Sequence, residues 1–235
     1  KSTTLYTALS ELNRETVNIV TVEDPVEANI DGVNQIQVNP KADMTFASAL
    51  RSILRQDPDI IMIGEIRDPE TAEIAVQASI TGHLVASTLH TNSTSASIAR
   101  LLNMGIEPYL MADALVGVVA QRLVRKLCRC KRGREATAQE KEELGVNQDE
   151  VLTIYEPAGC QLCSQTGYFG RTAVYEMMPV TPELRWAITK MQPSSKVKEI
   201  AQREGMITLR GSAVRLVREG VTSLEEMKKI ASEED

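Results

Sequence analysis

This 235-residue sequence predicts an α/β fold with an open, parallel sheet. Three observations predict it. Short apolar runs recur, and each stops abruptly at polar residues: Val17–Val22 at Glu23-Asp24-Pro25, Ile60–Ile63 at Gly64-Glu65, and His83–Leu89 at His90-Thr91-Asn92. A run such as Ile60–Ile63, bounded by Asp-Pro and Gly-Glu, reads as a strand buried on both faces. Helical periodicity fills the intervals, which gives β-α-β units with right-handed parallel crossovers. Open α/β sheets place ligands beyond the carboxyl ends of their strands. Glu23, Asp24, Glu65 and His90 are therefore expected to converge on one crevice.

Composition narrows the function. At this length the chain suits one large or two modest domains with ample core. Hydrophobic content of 43 % and charge of 25 % are those of a globular protein. A net charge of −6 argues against phosphate-backbone binding, and 3 % aromatics against base stacking. No apolar run approaches the length of a membrane span and no signal peptide opens the chain. The sequence starts at Lys1 without Met and is read as a fragment.

In order, Leu5, Ala8, Leu9 and Leu12 fall on one face of a helix ending near Asn13. The preceding Lys1-Ser2 matches the end of a phosphate-binding loop, G-x-x-x-x-G-K-[ST], whose glycines would lie upstream. The acidic end at Glu23-Asp24 reads either as a solvated turn or as a carboxylate that orients water against a phosphate. Asp31–Lys41 reads as a loop. Met44–Arg55 is helical, with Phe46, Leu50, Ile53 and Leu54 on one face and Arg51 and Arg55 off it. Those two arginines are either exposed helix charges or contacts to a phosphate or a neighbouring subunit. Glu65 ends a strand where a carboxylate can hold Mg²⁺. Asp68-Pro69 starts a helix as cap and first residue, with Ile74, Ala75 and Ala78 facing the sheet. His83 and His90 flank the third strand; only His90 stands at its carboxyl end, so a shared metal is not expected.

Beyond this, Ile98–Met104 and Pro108–Val124 read as helices. Arg122–Arg134 carries basic residues and no acidic ones. It is read as a solvated face, with an acidic partner, a nucleotide or anionic headgroups as the alternative. Cys128-Arg-Cys130 and Cys160-Gln-Leu-Cys163 form two close pairs, the pattern of a structural Cys₄ zinc site ahead of free thiols or disulfides. Between them Lys131–Glu150 is charged and helix-forming, with few apolar anchors, so a metal would help it fold. Gly170–Met178 alternates as a strand expected to return to the main sheet. Thr181-Pro182 and the capping box Ser223–Glu226 start later helices.

Several of these segments carry a family resemblance. Lys-Ser-Thr-Thr-Leu-Tyr at 1–6, Val-Glu-Asp-Pro-Val-Glu at 22–27, Leu-Arg-Gln-Asp-Pro-Asp at 54–59, Gly-Glu-Ile-Arg-Asp at 64–68 and the two histidine segments at 82–92 resemble the secretion-ATPase superfamily. The type II secretion and type IV pilus-assembly ATPases are the nearest match, over almost the whole chain. The resemblance implies a RecA-like P-loop NTPase core with a Cys-bearing insertion and a C-terminal helical subdomain. It implies Lys1, Ser2 and Thr3 at the phosphates, Glu23 orienting water, Glu65 on the magnesium side and His90 on phosphate. Asp24, Arg55, Arg67 and His83 are candidates for phosphate or interface contact. The first cysteine pair is C-x-C, one residue shorter than the family's usual pair, and the insertion is implied to be structural and partner-facing. Family arginine fingers come from an N-terminal domain not in this sequence.

The expected division is 1–125 for the nucleotide-binding core, 126–170 for the tetracysteine insertion and 171–235 for the returning strand and C-terminal helices. The expected function is a cytoplasmic hexameric motor that hydrolyses ATP with Mg²⁺, carries structural Zn²⁺ and powers pseudopilus or pilus assembly. It would sit at the inner membrane through platform and cytoplasmic-domain proteins, without nucleic acid. The alternatives are a pilus-retraction ATPase, in which the cysteine insertion is not expected, and a non-hydrolysing fragment that docks a partner.

Overall fold

The computed structural model describes residues 1–231; the last four positions of the expected C-terminal part lie outside the described residues. Two compact units emerge. The first comprises Lys1–Thr91, Ser95–Gly117 and Pro179–Ile200; the second comprises Asn92–Thr94, Val118–Met178 and the chain from Ala201 onward.

A four-stranded sheet organises the first unit. After α1 (Ser2–Leu12), strands β1 (Ile19–Glu23), β2 (Asn34–Gln37), β3 (Ile60–Ile63) and β4 (Leu84–Ser87) lie in the order β2-β1-β3-β4. Every pair is parallel, with Ile19 beside Ile60 and Ile60 beside Leu84. The central strands β1 and β3 are buried at every residue, as their unbroken apolar runs require, whereas the edge strands β2 and β4 are partly exposed. Helix α2 (Phe46–Ile53) is closed by a capping box between Thr45 and Ser48. In α3 (Pro69–Ile80) the Asp68 carboxylate accepts the Thr71 N–H at 2.8 Å, with Pro69 in the first turn. Leu9 of α1 packs with Ile19, Ile60 and Met62, which seats the start of the chain against the sheet. Helices α4 (Thr94–Asn103) and α5 (Pro108–Ala114) follow.

Four expectations are corrected here. Asp31–Lys41 contains a strand, β2; only one of its four residues is apolar, so its pairing with β1 left no hydrophobic signature. The helix expected over Pro108–Val124 stops at Ala114, where Leu115 turns extended, and β5 (Gly117–Leu127) takes over. Its buried residues, Ala120 and Val124, are four apart, a spacing that fits a helix as well as a strand. The β-branched Val116, Val118 and Val119 favour the strand. Lys131–Glu150 is not mainly helical: β6 (Arg132–Glu135) precedes the short α6 (Ala138–Glu143) and pairs antiparallel with β7 (Thr153–Glu156). Lastly, β8 (Tyr168–Pro179) does not join the main sheet but pairs with β5, a strand the helix reading of that segment had hidden.

In the second unit Val124, Val146, Leu152, Ile154 and Val174 form a core with residues of α9 (Leu209–Arg218) and α10 (Leu224–Ala231). The insertion thus has more apolar anchors than its composition suggested. In the first unit, Thr181 caps α7 (Pro182–Thr189) as expected, and α8 (Ser194–Arg203), most of which also belongs there, follows. At α10 only half of the expected box forms. Ser223 Oγ accepts the Glu226 N–H at 3.3 Å, while the Glu226 carboxylate turns to Arg125 instead.

Candidate functional site

The carboxyl ends of β1, β3 and β4 open into a cleft of about 190 Å³ whose lining includes Lys1, Ser2, Glu23, Asp24, Glu65 and His90. The parallel register brings them together, because Glu23, Glu65 and His90 each stand at or just beyond a strand end. Gly64 permits the closest approach. A Cβ there would stand 3.3 Å from the Glu23 Cα, so a side chain at 64 would press on the strand that carries Glu23. Lys1 caps the start of α1, and its ammonium donates to the Leu89 carbonyl, beside His90. The first N–H groups of a helix have no intrahelical acceptors, which suits an anion at Ser2 and Thr3.

Glu23 is 4 % exposed, and its carboxylate is held by uncharged donors. Oε1 accepts from Thr21 Oγ1 at 2.6 Å and Gln35 Nε2 at 3.1 Å; Oε2 accepts from the Tyr6 hydroxyl. Thr21 and Gln35 are direct partners across β1 and β2, and Glu23 lies two residues beyond Thr21 on the same face. An ionised carboxylate offers about four lone-pair positions. Among the described residues three are taken, which leaves one on Oε2.

Glu65 is treated differently. It accepts from Arg67 and stands 3.0 Å from His90 Nε2. The Arg67 hydrogen bond holds its carboxyl below the usual range, burial opposes this, and His90 adds to the lowering. Arg67 also lies 3.9 Å from Asp24, so it spans both acidic strand ends. Both partners are accessible: the His90 side chain is 77 % exposed and that of Arg67 59 %.

Other candidates lie apart. His83 precedes β4, at the opposite strand end, with Nδ1 3.0 Å from the Ala78 carbonyl of α3. Arg55 is exposed just past α2, and Arg51 pairs with Glu70 at 2.7 Å. Tyr6, Thr21 and Gln35 escaped the sequence reading. Tyr6 sits one turn after Ser2 on the half-buried side of α1, and Thr21 shares a strand face with Glu23. Gln35 carried no signal, because its role depends on the β1–β2 register.

The second unit holds the four cysteines, whose Sγ atoms all lie within 4.8 Å of one another. Cys128–Cys160, Cys130–Cys163 and Cys160–Cys163 are separated by 3.8, 3.9 and 3.7 Å. Those spacings exceed a disulfide bond, about 2.05 Å. They match the edge of a thiolate tetrahedron around a metal with bonds of about 2.3 Å, roughly 3.8 Å. The residues therefore fit zinc, including the short C-x-C half. Burial pushes the Cys163 thiol up, but the N–H groups of Cys160 and Gly167, each 3.2 Å away, together with the neighbouring Cys160 and Cys130 thiols outweigh it and hold it at about 6. Gly167 has φ +75°, and a Cβ there would fall 2.3 Å from that of Pro157, so no other residue fits the turn that delivers its N–H.

Comparison with known proteins bears on the family and the fold. A family model described as "Type II/IV secretion system protein" matches residues 1–229. The chain is 50 % identical over 234 residues to the type II secretion system ATPase E of Vibrio cholerae, covering 99 % of this chain and 46 % of that protein. It is 51 % identical over 231 residues to the type IV pilus assembly ATPase PilB of Myxococcus xanthus, covering 97 % and 41 %. It thus spans less than half the length of these two relatives. The crystal structure of the pilus retraction motor PilT with bound ADP is similar over 98 % of this chain and 57 % of that one, with TM-score 0.72 and 27 % identity.

Proposed function

The chain belongs to the type II/IV secretion system protein family and has its RecA-like P-loop ATPase core; from that premise we propose that it hydrolyses ATP to power pseudopilus or pilus assembly. The observation that carries the reading is the convergence of Lys1, Ser2, Glu23, Glu65 and His90 on one cleft. Lys1 and the start of α1, with Thr3, hold the β- and γ-phosphates. Glu23 orients a water through its free lone pair. As the water oxygen bonds to the γ-phosphorus, the bond to the bridging oxygen breaks and the water's proton is released. His90 turns from Glu65 to the γ-phosphate. Ser2 and Glu65 offer the hard oxygen donors that suit Mg²⁺, and that ion, when bound, neutralises charge on the phosphate oxygens. Asp24 and Arg67 remain candidates for phosphate or interface contact, whereas Arg55 and His83, which lie apart from the cleft, remain candidates for interface contact alone.

Cys128, Cys130, Cys160 and Cys163 would hold a structural Zn²⁺ that closes the segment between them. The division into 1–125, 126–170 and 171–235 belongs to the same proposal. So do a cytoplasmic homo-hexamer and its recruitment to the inner membrane by platform and cytoplasmic-domain proteins. No helix among the described residues is long and apolar enough to cross a membrane. The likeness to PilT makes retraction the second reading; the tetracysteine cluster favours assembly.

The test is phosphate release from ATP by the full-length protein, with and without a Mg²⁺ chelator and beside Glu65→Ala. Mg²⁺-dependent turnover that disappears in the variant is the expected result. A folded protein that binds nucleotide without turnover would shift the weight to a docking role.

A further inference from the structure

We infer that Tyr6 is a positioning residue for Glu23, through which the helix that holds the phosphates sets the carboxylate that orients water. The inference rests on the ATPase reading above. Among the described residues, Thr21 and Gln35 hold Oε1 of Glu23 from within the sheet, whereas Tyr6 donates to Oε2 and comes from α1. Oε2 is also the oxygen with a lone pair to spare. Its direction therefore depends on the Tyr6 hydroxyl.

The hydrogen-bond polarity is fixed. The Tyr6 oxygen accepts the Glu27 N–H at 3.1 Å, and its single proton goes to Glu23. Burial raises the Tyr6 phenol above its ordinary value, and the Glu23 carboxylate raises it further, so the proton stays on tyrosine. The ring packs on the cluster of Leu9, Ile19, Ile60 and Met62, which limits its freedom to swing. Tyr6 lies four residues after Ser2, about 6 Å along a continuous helix. A shift of the helix start when phosphates load is thus carried to Oε2, while Oε1 stays anchored to the sheet. The same hydroxyl ties down the loop after Glu23 through Glu27.

The experiment compares Tyr6→Phe, Glu23→Gln and the double variant in the full-length protein, with steady-state ATP turnover and ADP binding as readouts. Phenylalanine keeps the packed ring and removes only the hydroxyl. The expected result is a kcat about ten- to hundredfold lower, with KM and ADP affinity within about twofold of wild type. Because Tyr6 acts through Glu23, the double variant should be no slower than Glu23→Gln alone. A Tyr6→Phe enzyme at wild-type rate beside an inactive Glu23→Gln would overturn the role of Tyr6 and leave the ATPase reading intact. Loss expressed in KM alone, or an additive double variant, would also overturn it, by making Tyr6 a support for the helix. Wild-type turnover in Glu23→Gln would remove the role of Glu23, and this inference with it.

Discussion

Glu226→Gln tests how the second unit is held together. The buried Glu226 carboxylate accepts from the Arg125 backbone N–H at 2.9 Å, from Arg125 Nε and Nη2 at 3.1 and 2.9 Å, and from Lys229 Nζ at 2.7 Å. Burial alone would push its carboxyl up; Arg125 and Lys229 outweigh that and hold it at about 2, from an ordinary 4.5. At 1.36 kcal/mol per pH unit the difference corresponds to about 3 kcal/mol. The Arg125 side chain is 44 % exposed, so solvent screening reduces this to about 1–2 kcal/mol. Glutamine keeps the volume but sets an NH₂ group among donors, so the loss should appear in full at pH 7. Because the folded value is depressed, the contribution is present above pH 4.5 and is lost as pH falls toward about 2. The assay is urea unfolding of wild type and variant from pH 7 to pH 3. The expected result is a gap of about 1–2 kcal/mol at pH 7 that shrinks by more than about half at pH 3, with unchanged m-values. A gap below about 0.5 kcal/mol, or one independent of pH, would refute the reasoning.

Two further outcomes are expected. Cys160→Ser should lower bound zinc, read by mass spectrometry of the purified protein, and reduce the melting temperature more than ATP turnover; a variant as zinc-replete as wild type would rule out the Cys₄ site. Glu176→Gln should destabilise by about 1–3 kcal/mol, because the buried Glu176 accepts from the Thr94 N–H and hydroxyl at 2.7 and 2.8 Å and from the Leu209 N–H at 3.2 Å. Amide exchange at the first turns of α4 and α9 should rise with it, and unchanged exchange would count against that bridging role.

The parts of the fold that were legible in sequence are those where local and long-range signals agree. β3 is buried on both faces, so its apolar run had no competing reading, and Asp68-Pro69 marked a helix start by local hydrogen bonding alone. β2 was invisible, because an edge strand draws its definition from the neighbour it pairs with. β5 was read as a helix, because four-residue spacing suits both periods and the partner that decides between them, β8, begins some forty residues later in the chain. In the cleft, the charged residues announced themselves by ending apolar runs. Their neutral supports did not, since tyrosine, threonine and glutamine are unremarkable until the register sets them beside a carboxylate.

That division bears on how the cleft can work. Glu65 is held by Arg67 and His90, whose own side chains are largely exposed and reach solvent. On the proposed reading, Arg67 and His90 would leave Glu65 for phosphate while Glu65 turns to a divalent cation. Glu23 is held by uncharged donors in a buried setting, where an unmade hydrogen bond to a carboxylate costs more. Among the described residues Oε1 has both positions filled, and Oε2, under Tyr6, keeps one lone pair free. On the proposed ATPase reading, one carboxylate would change partners through the cycle and the other would keep its aim, which is what holding a metal–phosphate complex and orienting the attacking water respectively require.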